Sequence, residues 1–131
     1  MGIDVQEFLT TEGDGENKLR IIQEQVPGNQ ISLAHIIGGP LPIIYQKLGL
    51  NPDIDYDGAA IGIMTMIPYE TSVIAADIAT KSADIYLGFV DRFSGTLIIT
   101  GEHAEVETAV EEIVRYFRDE LGFASCRITK R

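Results

Sequence analysis

Apolar residues recur along this chain with two different periods, and the changes between them mark out its elements. From His103 to Leu121, the residues Val106, Ala109, Val110, Ile113, Val114, Phe117 and Leu121 return at steps of three and four. That spacing predicts a helix with one apolar stripe, stopped by Gly122. Glu70 to Lys81 predicts a second helix, with Thr71 or Ser72 near its start and Ala75, Ala76 and Ala79 among Ile74 and Ile78. Small residues on its surface permit close approach to a sheet or another helix. Ahead of it, AAIGIMTMI over 59–67 is a continuous apolar run ending at Pro68, the signature of a buried strand. Residues 84–90 and 96–100 are two β-rich runs joined through Asp91-Arg92-Phe93-Ser94-Gly95, a hairpin connection. Phe123 to Ile128 predicts a closing strand. The order from residue 59 is therefore βαββαβ. We expect an α+β fold with an antiparallel or mixed sheet, covered on one face by the two helices.

The first half is less regular. Ile31 to Ile37 is an apolar run that Gly38-Gly39-Pro40 must end, and its pattern allows either helix or strand. Residues 41–50 predict a short helix with Ile43, Ile44 and Leu48 on one face and Gly49 as its stop. Leu19 to Val26 (LRIIQEQV) reads as a strand ended by the turn dipeptide Pro27-Gly28. The segment TTEGDGENK over 10–18 is polar, acidic and linker-like, and Ile3 to Leu9 ahead of it reads as a short strand or a tail.

Charge narrows the partners. Twenty acidic against ten basic side chains leave a net charge of −10 in 131 residues, enough chain for one domain. Residues 1–19, 20–101 and 102–131 are each net negative, so no basic stripe is hidden in the total. Nucleic acid and anionic membranes, which require a basic surface, are not expected partners. Cys126 is the one cysteine, which excludes an internal disulfide, and with only His35 and His103 beside it no metal site is expected. The N-terminus lacks the basic and apolar regions of a secretory signal, and no apolar stretch approaches about 20 residues. A cytoplasmic location follows.

Candidate chemistry is sparse. Asp53-Ile54-Asp55-Tyr56-Asp57-Gly58 resembles the opening of a calcium loop, but Met64 stands where the bidentate glutamate is required, so an acidic turn is the better reading. Gly38-Gly39-Pro40 and Gly13-Asp14-Gly15 lack the Lys and Ser/Thr of a phosphate-cradling loop. His35 lies in an apolar run and is expected to be packed and hydrogen-bonded; His103 is expected at a helix start, facing solvent. Cys126 has no histidine in its own element to activate it, and Ser94 sits in turn chemistry rather than a nucleophile elbow. No catalytic set can be assembled, and no cofactor is implied.

Four blocks carry a resemblance. They are Arg20-Ile21-Ile22-Gln23-Glu24-Gln25-Val26-Pro27-Gly28-Asn29-Gln30 running on to Ile37; Ala60 to Thr65 with Pro68, Glu70, Thr71 and Ala75 to Lys81; Gly88 to Gly95; and Cys126 to Thr129. Together they span about 20–131. In this register the chain resembles the circularly permuted bacterial microcompartment shell proteins of the ethanolamine-utilization S type and propanediol-utilization U type. The resemblance implies a structural protein and not an enzyme. It implies a homo-hexameric tile that packs edge to edge with other shell proteins, around enzymes acting on ethanolamine, propanediol, choline or a similar substrate. It implies that Asp91, Arg92, Phe93, Ser94 and Gly95 border a central pore. Lys81 and the turn Pro27-Gly28-Asn29-Gln30 would lie at the tile edge, with Asn29 where relatives carry Lys. Six copies of the strand Arg20, Ile21, Ile22, Gln23, Glu24, Gln25 and Val26 would cap the pore as a small barrel. Residues 1–19 exceed the family's usual leader and read as a separate polar extension, with 20–131 as the shell domain. The alternative is a small-molecule-sensing regulatory domain of the same α+β class, which rests on fold analogy alone.

Overall fold

The computed structural model describes residues 28–40, 42–50 and 59–131. The predicted strand 19–26, the leader before it and the acidic turn 53–58 lie outside the described residues. The elements are β1 (Gln30–Gly38), α1 (Pro42–Lys47), β2 (Ala60–Ile67), α2 (Thr71–Ser82), β3 (Tyr86–Asp91), β4 (Thr96–Gly101), α3 (His103–Asp119), β5 (Ala124–Ser125) and β6 (Thr129–Lys130). One sheet runs β3-β4-β2-β1-β5, with β6 also paired to β1. The β3–β4, β4–β2 and β2–β1 ladders are antiparallel, whereas β5 and β6 run parallel to β1. The sheet is thus mixed.

The undecided run 31–37 is a strand. Ile31, Ala34 and Ile36 are buried, but the ladder slips between Ile31 and Leu33, which breaks strict alternation and hides the period of two. The main core lies between the sheet and the pair α2 and α3. Met64, Leu97 and Ile99 meet Val106, Val110, Ile113 and Phe117 there, all fully buried. The predicted alanines of α2 do what small residues allow, with Ala75 and Ala79 at zero exposure. Helix α3 comes so close to β2 that a Cβ on Gly62 would stand 3.0 Å from side-chain carbons of both Ile99 and Val106. At its end Gly122 turns the chain at φ 73°, and the Phe123 N–H donates to the Phe117 carbonyl at 2.9 Å. The two rings then meet edge to face at 4.8 Å.

One expectation needs refinement and another correction. On the opposite sheet face the short helix forms, but Ile43 and Ile44 of α1 and Leu48 just after it face outward, 38–48% exposed. Tyr45 and Leu50 instead cover Ile61 and Ile98, and the Tyr45 hydroxyl donates to the Ala59 carbonyl at 2.8 Å. A helix of six residues has under two turns, so it can seat only one side on the sheet. Of the predicted closing strand 123–128 only β5, Ala124–Ser125, is a strand, and β6 starts beyond it at Thr129. The Ser125 hydroxyl donates to the Cys126 carbonyl, while Cys126 and Ile128 turn into the core. Ladder bonds resume where the Arg131 N–H donates to the Ile36 carbonyl and the Gly38 N–H to that of Arg131.

Candidate functional site

The β3–β4 connection, residues 91–95, is a closed hydrogen-bonded turn. The Asp91 carboxylate accepts from the Phe93 N–H at 2.9 Å and from the Ser94 hydroxyl at 2.8 Å. These bonds hold the Asp91 carboxyl below its ordinary value, the Phe93 N–H contributing most and the Ser94 hydroxyl next. The Gly95 N–H donates to the Asp91 carbonyl, and the Gly95 carbonyl accepts from the Met66 N–H, both at 2.9 Å. Gly95 stands at φ 73°, where a Cβ would lie 2.2 Å from the Met66 carbonyl oxygen. Only glycine fits there. With its backbone fixed, the turn projects Phe93, 75% exposed, with the Arg92 guanidinium over its ring at 4.9 Å.

The start of α2 is tied to the same end of the domain. The Ser72 hydroxyl donates to the Asp91 carbonyl at 3.2 Å, and the Thr71 hydroxyl to that of Pro68 at 2.6 Å. Both anchors were missed from sequence; the only signal was the pair Thr71-Ser72 at a helix start. The other end of α2 carries Lys81, exposed and paired with Asp77 one turn back at 3.1 Å. The chain then turns at Asp84, whose N–H donates to the Glu105 carboxylate on α3 at 2.7 Å. Lys81 and the 91–95 turn therefore sit at opposite ends of α2 and β3.

Gly28, Asn29 and Gln30 do not join Lys81. Gln30 pairs with Ile67 and Ala124, and the Asn29 carbonyl accepts from the Ala124 N–H at 3.1 Å. Because Ile67 follows the residue that holds Gly95, this turn lies at the sheet end of the 91–95 loop, away from Lys81. Pro27 and the capping-strand candidates 20–26 lie outside the described residues. Among the histidines, His35 meets the Thr129 hydroxyl at 2.6 Å and His103 is exposed at the start of α3. Cys126 is a half-buried free thiol. Ser94 is committed to Asp91. No helix among the described residues is long and apolar enough to cross a membrane.

Comparison with known proteins decides what these surfaces belong to. Residues 60–128 match the family model described as the BMC domain. The chain belongs to the BMC-domain family. Its relatives are bacterial microcompartment shell proteins. CutR of Streptococcus intermedius is 49% identical over 111 residues, which cover 85% of this chain and 91% of CutR. EutS of Salmonella typhimurium is 47% identical over 87% of this chain and 98% of its own length. PduU of the same organism is 44% identical, over 85% and 92%. Among solved structures, a CutR flat hexamer matches with a TM-score of 0.73 and 46% identity, over 86% of this chain and 99% of that one. A fused permuted hexameric shell protein, 17% identical, shares the fold at a TM-score of 0.59, over 66% and 47%. The BMC-domain match begins at Ala60, leaving β1 and α1 ahead of it, in agreement with a permuted order.

Proposed function

We propose that this chain forms homo-hexameric tiles of a microcompartment wall, with the 91–95 loop toward the ring axis and Lys81 at the perimeter. The observation that carries the reading is the placement of those two features at opposite ends of α2. A helix of 12 residues separates them by about 18 Å. A wedge-shaped protomer in a closed ring needs such an inner and an outer end. The relatives named as shell proteins support the structural role over the sensing-domain alternative.

The turn Gly28–Gln30, expected at the tile edge, belongs in this reading to the axial end. Residues ahead of it then leave the domain near the axis, where a strand Arg20–Val26 would have to start in order to cap the pore. Residues 20–131 form the tile, and 1–19 a polar extension outside it. Other shell proteins are the lateral partners and enzymes the enclosed ones.

Light scattering at micromolar protein should give the six-chain mass; a dimer or trimer would overturn the ring. Concentrated wild type should form edge-to-edge sheets by electron microscopy, and Lys81→Asp should keep the six-chain mass while abolishing them. The long stem and ammonium of Lys81 suit a contact with a neighbour's carbonyls, which an aspartate would repel. The exposed pair with Asp77 is worth only about 0.5 kcal/mol, so its loss cannot unfold the tile. Sheets forming as readily in the variant would remove Lys81 from the perimeter contact.

A further inference from the structure

Serine and threonine near the start of a helix ordinarily bond the backbone of their own turn, as Thr71 does with the Pro68 carbonyl at 2.6 Å. Ser72, the next residue, does not. Its side chain is fully buried, and its hydroxyl reaches out of α2 to the Asp91 carbonyl, 19 residues further along the chain.

The atom it reaches is a junction. The Asp91 carbonyl oxygen accepts from the Ser72 hydroxyl at 3.2 Å and from the Gly95 N–H, which closes the loop, at 2.9 Å. A carbonyl has two lone pairs, so this one is fully used. The carboxylate of the same residue holds the Phe93 N–H and the Ser94 hydroxyl. Asp91 thus gathers the bonds that give the loop its shape, and α2 supplies one of them. A second tether comes from the strand ahead of α2, where the Met66 N–H donates to the Gly95 carbonyl. Met66 and Ser72 stand on either side of the β2–α2 turn, which the Thr71 and Ser72 N–H groups close on the Pro68 and Tyr69 carbonyls, both at 3.1 Å. One tether would leave the hairpin tip free to swing about it. Two, at opposite ends of the loop, fix its orientation.

We infer that Ser72 is the positioning residue of the 91–95 loop, fixing the loop relative to α2 and so relative to Lys81 at the far end of that helix. The inference rests on the tile reading for where the loop points, and goes beyond it in naming what holds the loop there. In a ring, six such loops set the opening at the axis. With this clamp, the width of that opening follows the seating of α2 in the domain, not the freedom of a hairpin tip.

The test compares three variants of the full chain. Ser72→Ala removes the hydroxyl, and Ser72→Cys keeps a side chain of similar shape with a poor donor. Thr71→Ala removes a hydroxyl that ties only the helix start. Both Ser72 variants should speed exchange of the Gly95 amide by about fivefold, the worth of one ordinary hydrogen bond. Both should also move the Asp91 titration upward by carboxyl carbon NMR, although Ser72 does not touch that carboxylate. Thr71→Ala should do neither. Wild-type exchange and titration in the cysteine variant would show that Ser72 only fills space, and would overturn the assignment. Equal changes in Thr71→Ala would overturn it too, as a general loosening of the helix start. Should the Ser72 variants fail to fold, hydrogen exchange of the wild type in sub-denaturing urea decides. The loop amides 93–95 should open together with the first turn of α2, and a loop that opens at lower urea than α2 would sink the clamp. A wild type that never reaches six chains would overturn the tile reading and leave the clamp standing.

Discussion

Gly95→Ala probes the tightest contact in the 91–95 loop, and its cost can be worked from two terms. An L residue at φ 73° is strained by about 1–2 kcal/mol. The new methyl would also lie 2.2 Å from the Met66 carbonyl oxygen, where an ordinary contact is about 3.5 Å. The loop must retreat by roughly 1 Å, stretching or breaking the bond from the Met66 N–H to the Gly95 carbonyl, worth about 1 kcal/mol. Together the loss is about 3 kcal/mol, which at a urea m-value of about 1.5 kcal/mol/M lowers the midpoint by about 2 M. Gly49→Ala supplies the control. It has nearly the same φ, 69°, but nothing within 4 Å of its Cβ, so it should pay the strain alone. Both are compared with wild type by urea unfolding at one protomer concentration, since assembly adds to apparent stability. A Gly95→Ala midpoint no lower than that of Gly49→Ala would refute the steric argument.

Phe117→Ala removes a fully buried ring and its edge-to-face contact with Phe123, and should cost about 3–5 kcal/mol in the same assay; a loss under 1 kcal/mol would show that the core collapses to fill the space. Asp91 has a folded-state value depressed below its ordinary one, so its contribution to holding the loop is present above the ordinary carboxylate range and lost as pH falls through the depressed value. Ser94→Ala should therefore move the Asp91 titration, followed by carboxyl carbon NMR, upward toward its ordinary value; an unchanged midpoint would leave the backbone N–H groups of Phe93 and Ser94 as the cause. Deleting residues 1–19 should keep the wild-type mass and urea midpoint, whereas deleting through Val26 should expose the axial end to an apolar dye; equal dye binding by both truncations would count against the capping strand.

How much of this could be read in advance depended on whether a signal was local. Helices α2 and α3 and strand β2 each declare themselves within a dozen or so residues, through alanine spacing, a three-four stripe or an unbroken apolar run. β1 did not, because the slip at Ile31/Leu33 erases its alternation. α1 misled for a different reason. Three aliphatic residues share its predicted face, yet Tyr45 and Leu50 take the sheet, and no rule of periodicity ranks one apolar side over another. The parallel pairing of β5 and β6 with β1 links residues far apart in the chain and leaves no local trace. The loop residues 91–95 were legible as a turn, while their place at a pore is carried by the resemblance alone. Their position opposite Lys81, and the arrival of Gly28–Gln30 at the loop end, exist only once the topology is laid out.

The pairing of β1 with the last residues also sets an order of events in the cell. β1 is among the first parts of the described domain to leave the ribosome, yet its outer neighbours are Ala124–Ser125 and Thr129–Lys130. Until residues 124–131 emerge, β1 has an open flank, and Cys126, Ile128 and Phe123 are missing from the core. A nascent chain stalled before that point would expose the kind of unpaired edge that seeks a neighbour. Synthesis therefore places completion of the sheet at the very end of translation of this segment. A domain that closes last is poorly suited to assemble while it is still emerging, so rings should be recruited from domains whose residues 124–131 have already paired with β1.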